Sequence, residues 1–129
     1  MRFRCASNKG ITLVVAIFFG FNIALLHSLT TMAGTADEDF AFAVRLYQKE
    51  ELELAIEEFE KFVKQHKNDE RIPEALIVLG DCYFRLKRYE QAVKAFQSAA
   101  KEAAVRGRAD VEARATYWVG ESYYQMRKY

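Results

Sequence analysis

One arrangement of small and large apolar residues recurs along this chain, and it constrains the fold more than any other feature. Within residues 73–104, Leu76, Leu79, Gly80 and Tyr83 share one helix face at i, i+3, i+4, i+7 spacing, and Ala92, Phe96 and Ala99 share another. Small residues at Gly80, Ala92 and Ala99 let two helices approach closely, while Leu79, Tyr83 and Phe96 fill the space beside them. The polar corner Lys87-Arg88-Tyr89 between the two runs predicts an αα-hairpin. The pattern then returns at a fixed distance. Ala43 to Gly80, Ala55 to Ala92 and Phe59 to Phe96 are each separated by 37 positions, and Gly80 to Gly120, Tyr83 to Tyr123 and Tyr89 to Tyr129 by 40. A period of this size predicts an all-α fold in which antiparallel helix-turn-helix repeats stack as a solenoid. The three extra residues of the second interval are expected around Val105 to Asp110, in the connection.

Read in order, the chain begins with a different kind of segment. Residues 1–36 have the layout of a signal peptide or an N-terminal membrane anchor. Arg2, Arg4 and Lys9 precede an apolar run from Ile11 to Leu26, and small residues follow, with processing points after Ala33 or Ala36. The run to Leu29 is also long enough to span a bilayer if it is retained. Both outcomes stand at this point, and with them a periplasmic or an inner-membrane-anchored location. Cys5 lies before the apolar run, so a lipidated cysteine after it is not expected, and its separation from Cys82 makes a structural disulfide unexpected. Cys82 reads as a small buried helix residue.

The first hairpin opens on Asp37, Glu38 and Asp39, acidic residues suited to a helix N-terminus. Lys49-Glu50-Glu51 is its corner, and Leu52, Ala55, Ile56, Phe59, Phe62 and Val63 make the second helix amphipathic. Glu57 with Lys61 and Glu60 with Lys64 fall at i, i+4 on its polar side. Asp69 and Asp110 read as N-caps of the next two first helices, Pro73 as a tolerated first-turn residue and Gly107 as a helix stop. Repeats are therefore expected over approximately residues 36–72 and 73–112, with a partial third over 113–129.

These residues resemble the tetratricopeptide repeat family. Leu76, Leu79, Gly80, Tyr83, Ala92, Phe96 and Ala99 match its pattern in the second repeat, and Val119, Gly120 and Tyr123 match in the third. The first repeat departs from it: Asp39 stands at a usually apolar position and Phe62 at a usually small one. The resemblance covers residues 37–129 and implies a right-handed α-solenoid of about two and a half repeats. Pro73 seven residues before Gly80, and the run Tyr117-Trp118-Val119-Gly120-Glu121-Ser122-Tyr123-Tyr124, are similar to exported repeats of the Tol–Pal-associated cell-division coordinator and the outer-membrane assembly lipoprotein. The coiled coil usual before the first and the lipidated cysteine of the second are not found here.

The resemblance further implies a concave face lined by the first helix of each pair. Its groove positions carry over to Asp37, Phe40, Val44, Tyr47 and Gln48, then Glu74, Ile77, Asp81, Phe84 and Arg85, then Arg114, Tyr117, Glu121, Tyr124 and Gln125. The expected occupant is a protein or peptide of the cell envelope, and the expected role is a non-catalytic scaffold or adaptor. An alternative is a membrane-anchored oligomerisation module of an envelope complex. Trp118 and Tyr123 are expected to face a second helix beyond residue 129 or a partner, with self-association through this uncapped helix a further expectation.

Other classes find little support. Beyond residue 33 the chain carries sixteen basic and eighteen acidic residues, no footprint for nucleic acid. No nucleophile elbow, phosphate-binding loop or metal-spaced cluster is present, so no catalytic, metal or cofactor residues are expected. His66, alone in a polar loop, reads as solvated, and Glu57, Glu58 and Glu60 diverge around their helix.

Overall fold

The computed structural model describes residues 34–127. Among these there are five α-helices and no strand: α1 (Ala36–Gln48), α2 (Leu52–Gln65), α3 (Ile72–Arg85), α4 (Tyr89–Val105) and α5 (Ala109–Met126). Each helix packs against the next in sequence, and the first helices also touch directly, α1 with α3 and α3 with α5. This neighbour-only packing is that of a helical repeat solenoid. None of these helices is long and apolar enough to cross a membrane, and the apolar run from Ile11 to Leu29 lies outside the described residues.

The start of α1 is fixed by its own sequence. Thr35 is the N-cap, its hydroxyl accepting from the Glu38 N–H while the Glu38 carboxylate accepts from the Thr35 N–H. This reciprocal pair satisfies two donors that a helix end leaves free. The corners of the two complete hairpins are built alike. Glu50 and Lys87, one period apart, both adopt left-handed backbone, with φ of 62° and 60°. Each reverses the chain in three residues, and Tyr89 belongs to α4 rather than to the corner. Gly107 ends the second hairpin at φ 68°, where a side chain would be strained.

The core is a line of rings and small residues. Phe59, Phe62 and Phe96 are wholly buried beside Ala43, Ala55, Ala92 and Ala99. A Cβ built at Gly80 would stand 2.6 Å from the Phe96 ring, so only glycine admits this approach. That ring also stacks on Trp118, with centroids 5.9 Å apart and planes 17° from parallel. Trp118 also meets Phe84 edge-on. It therefore turns back into the second repeat instead of facing a further helix, because the Phe96 and Phe84 rings offer it apolar area there. Tyr123 remains half exposed. The departures in the first repeat fit together: Phe62 takes the volume of a small residue and packs on Phe40, while Asp39 is drawn to His66. Cys82 is buried and free, and burial pushes its thiol pKa up to about 12.

Several local expectations need correction. Neither Asp69 nor Asp110 is an N-cap; α3 and α5 start after Arg71 and Arg108, without side-chain caps. Asp69 instead accepts from the Arg71 backbone N–H in the turn before α3, and Asp110 lies in the first turn of α5. On α2, Lys61 pairs with Glu58 at i, i+3 rather than with Glu57, and Glu60 accepts the Tyr83 hydroxyl rather than pairing with Lys64. The three extra residues are not in the connection, which at 106–108 is shorter than the connection at 66–71. The helices carry them instead: α4 runs nine residues past Phe96 where α2 runs six past Phe59, and α5 begins eleven residues before Gly120 where α3 begins eight before Gly80. In α3 the first turn instead holds Pro73, which lacks the N–H that a first-turn residue leaves unpaired.

Candidate functional site

The face formed by the first helices α1, α3 and α5 is tied together by contacts that repeat with the period. Arg71, before α3, reaches back to Asp37 at 2.9 Å, and Arg108, before α5, reaches back to Glu74. Arg71 and Arg108, like Asp37 and Glu74, are one period apart, so each connection is fastened to the start of the preceding first helix. The other Glu74 oxygen is buried, with no partner among the described residues. At the far end of the first joint, the Tyr47 hydroxyl donates to Asp81 at 2.7 Å, and Arg85 pairs with Glu50 at 2.9 Å while lying over the Tyr47 ring. Burial, followed by the Asp81 carboxylate, raises the Tyr47 pKa, so the hydroxyl stays protonated and donating. Asp37 is largely exposed, so its ion pair contributes little.

Asp69 holds Arg71 in place for this reach. Its two oxygens take the guanidinium at 2.8 and 2.7 Å, and the guanidinium lies 4.9 Å from the Phe40 centroid. The hydrogen bond from the Arg71 side chain keeps the Asp69 carboxyl at about 2, below its ordinary 3.8. A depressed carboxylate adds stability that is complete above its unfolded value and lost as pH falls through the folded one. Asp69→Asn is therefore expected to lower stability by about 1–2 kcal/mol at neutral pH. Urea midpoints should show this difference shrinking as pH is lowered from 4 towards 2.

The expected groove positions divide into two groups. Phe40, Val44, Ile77 and Phe84 are half-buried against the core, and Tyr47, Glu74, Asp81 and Arg85 are held in the bonds described above. Glu121 accepts from Gln125 within α5. Gln48, Arg114, Tyr117 and Tyr124 are exposed, Tyr117 at 64% and Tyr124 at 55%. The open part of the face is thus concentrated on α5, while α1 and α3 supply a bonded wall beside it. Sequence reasoning missed Arg71, Arg108 and Glu50, although their acidic or basic partners at matching positions were a readable signal. It also missed the Asp39–His66 contact: the His66 Nε2 lies 2.8 Å from the Asp39 Oδ2, so this histidine is clasped between α1 and α2 rather than free in a loop.

Comparison with known families agrees with the geometry. A tetratricopeptide repeat family model matches residues 40–104, half of the chain. No match was found among curated proteins or among solved structures. Repeats of this family generally mediate protein–protein interaction. With the matched span running through both complete hairpins, the chain belongs to the tetratricopeptide repeat family.

Proposed function

We propose that this chain is a non-catalytic adaptor of the bacterial cell envelope, binding a peptide or helix of a protein partner on the face of α1, α3 and α5. The observation that carries the reading is the contrast along that face. Tyr117 and Tyr124 project from α5 beside Arg114, next to a wall whose polar groups already bond to one another. Exposed rings on a preorganised surface supply contact area with little entropy to lose. The envelope setting rests on the basic-then-apolar layout of residues 1–29 and on the resemblance to exported repeats. The Thr35 capping box bears on processing: cleavage after Ala33 leaves it intact, whereas cleavage after Ala36 removes it. A retained segment at residues 11–29 would make the same face that of a membrane-anchored module.

Photo-crosslinking in intact cells tests the reading. A crosslinker at Tyr117 or Tyr124 is expected to yield an adduct with an envelope protein that is absent when the crosslinker is placed at Glu53, on α2. Identical adducts from all three positions would dispose of a face-specific site.

A further inference from the structure

Helices α2 and α4 each pack on α3 but not on one another, and a cleft opens between them. Its floor is a stripe of α3 formed by Ile72, Leu76, Leu79 and Tyr83. Helical spacing puts this stripe on the side of α3 opposite Ile77, Asp81 and Phe84. Two adjoining cavities of about 460 and 370 Å³ share Glu60, Leu76, Leu79 and Ser98, so the cleft is continuous from Ile72 to Tyr83. That stretch of helix is about 16 Å long. The larger cavity falls within the range of small-molecule sites, about 300–1,000 Å³. Every residue lining the cleft lies between positions 60 and 102, so its shape is set by the two complete hairpins alone.

The polar groups of the cleft divide by whether they are engaged. Of its two carboxylates, Glu60 accepts the Tyr83 hydroxyl and Glu102 pairs with Arg106. The Ser98 hydroxyl donates to the Lys94 carbonyl. The ammonium groups of Lys64, Lys67 and Lys94 have no partner among the described residues. Arg106 also donates to the Lys67 carbonyl at 3.3 Å, which ties the backbone of that lysine to the end of α4. The cleft thus joins an apolar floor to unanswered positive charge, with Lys64 and Lys67 both at its Ile72 end. Its helical walls have their peptide groups bonded within each helix. An extended peptide would leave its own N–H and C=O groups unpaired there, whereas a hydrocarbon chain has none to satisfy. Exposed large apolar side chains such as Phe42, Leu54 and Tyr117 do not line the cleft, so its rim is not built to enter a bilayer. We propose that this cleft binds one free long-chain fatty acid, its carboxylate at Lys64 and Lys67 and its chain along Leu76 and Leu79 toward Tyr83.

The probe is palmitate with a diazirine in its chain, photolysed with the full 129-residue chain held in amphipol so that no free detergent competes. Adducts are mapped by peptide mass spectrometry. Labelling within α3 is expected to reach half-saturation at about 10 µM or below and to be displaced by unlabelled palmitate. Lys64→Gln combined with Lys67→Gln should weaken it about tenfold, the worth of one charge-assisted contact. Lys61→Gln, on the same helix but already paired with Glu58, should leave it unchanged. Ser98→Trp, at an exposed position bordering both cavities, should fill the cleft and abolish labelling while the chain still melts cooperatively. Labelling that does not saturate, that is indifferent to the paired lysine substitutions, or that is equally strong with the methyl ester of the probe would each overturn the proposal. So would stronger labelling of the same residues by a diazirine phospholipid in vesicles, which would assign the cleft to a membrane lipid.

Discussion

Phe96→Ala is expected to destabilise the repeat domain by about 3–5 kcal/mol, the range for losing a fully buried ring. Phe96 has no exposed surface and packs on both Gly80 and Trp118. Its removal opens a space that neither neighbour can fill, because one lacks a side chain and the other is braced by Phe84. A domain of this size has about 5–15 kcal/mol in total, so the melting temperature should fall by roughly 15–30 °C. Trp118 is the only tryptophan, so its emission should shift to the red in the folded variant, reporting water at the vacated site. A melting temperature within a few degrees of the parent, with unshifted emission, would mean that the ring is not the keystone of the second and third repeats.

Gly80→Ala makes the opposite error at the same contact. The new methyl would stand 2.6 Å from the ring, which is wholly buried and already packed on Trp118. Overpacking of this kind costs about 1–3 kcal/mol, more than the roughly 1 kcal/mol that alanine gains over glycine in a helix. The net loss should appear as a lower urea midpoint. The same change at Gly120 should stabilise the domain by about 1 kcal/mol and raise the midpoint, since there only the helix-propensity gain operates. Two glycines at matching repeat positions should thus respond with opposite sign, a result that composition and propensity alone would not give.

The repeat was legible because its signal is periodic and apolar. Leu76, Gly80, Tyr83, Ala92 and Phe96 announce both their faces and their partners by spacing, and burial follows spacing closely. The capping box at Thr35 could have been read from Thr and Glu three residues apart, yet a run of acidic residues just inside the helix drew attention away from it. Asp69 and Asp110 show the limit of local rules. Either could cap a helix in isolation, but Asp69 is recruited by Arg71, and α5 starts two residues too early for Asp110 to do so. Trp118 was misplaced because its partners, Phe84 and Phe96, lie on other helices, and no spacing along one helix reveals which neighbour a ring will choose. Of the binding face, the positions were legible and their availability was not. Tyr47, Asp81 and Arg85 are as polar as any groove residues, but their long-range bonds to one another and to Glu50 withdraw them, leaving Tyr117 and Tyr124 outermost.

The added turn at the start of α5 changes the geometry a ligand would meet. Measured from the arginine that fastens each connection, Gly80 follows Arg71 by nine positions and Gly120 follows Arg108 by twelve. Three residues of helix amount to about 4.5 Å along the axis. Ala115 and Ser122 are nevertheless buried as Ala75 and Cys82 are, forty positions earlier, so the packed part of α5 keeps its place and the extra length extends the helix at its start. A ligand that ran past the arginine end of the face would meet that added helix on the third repeat where the second offers a connection.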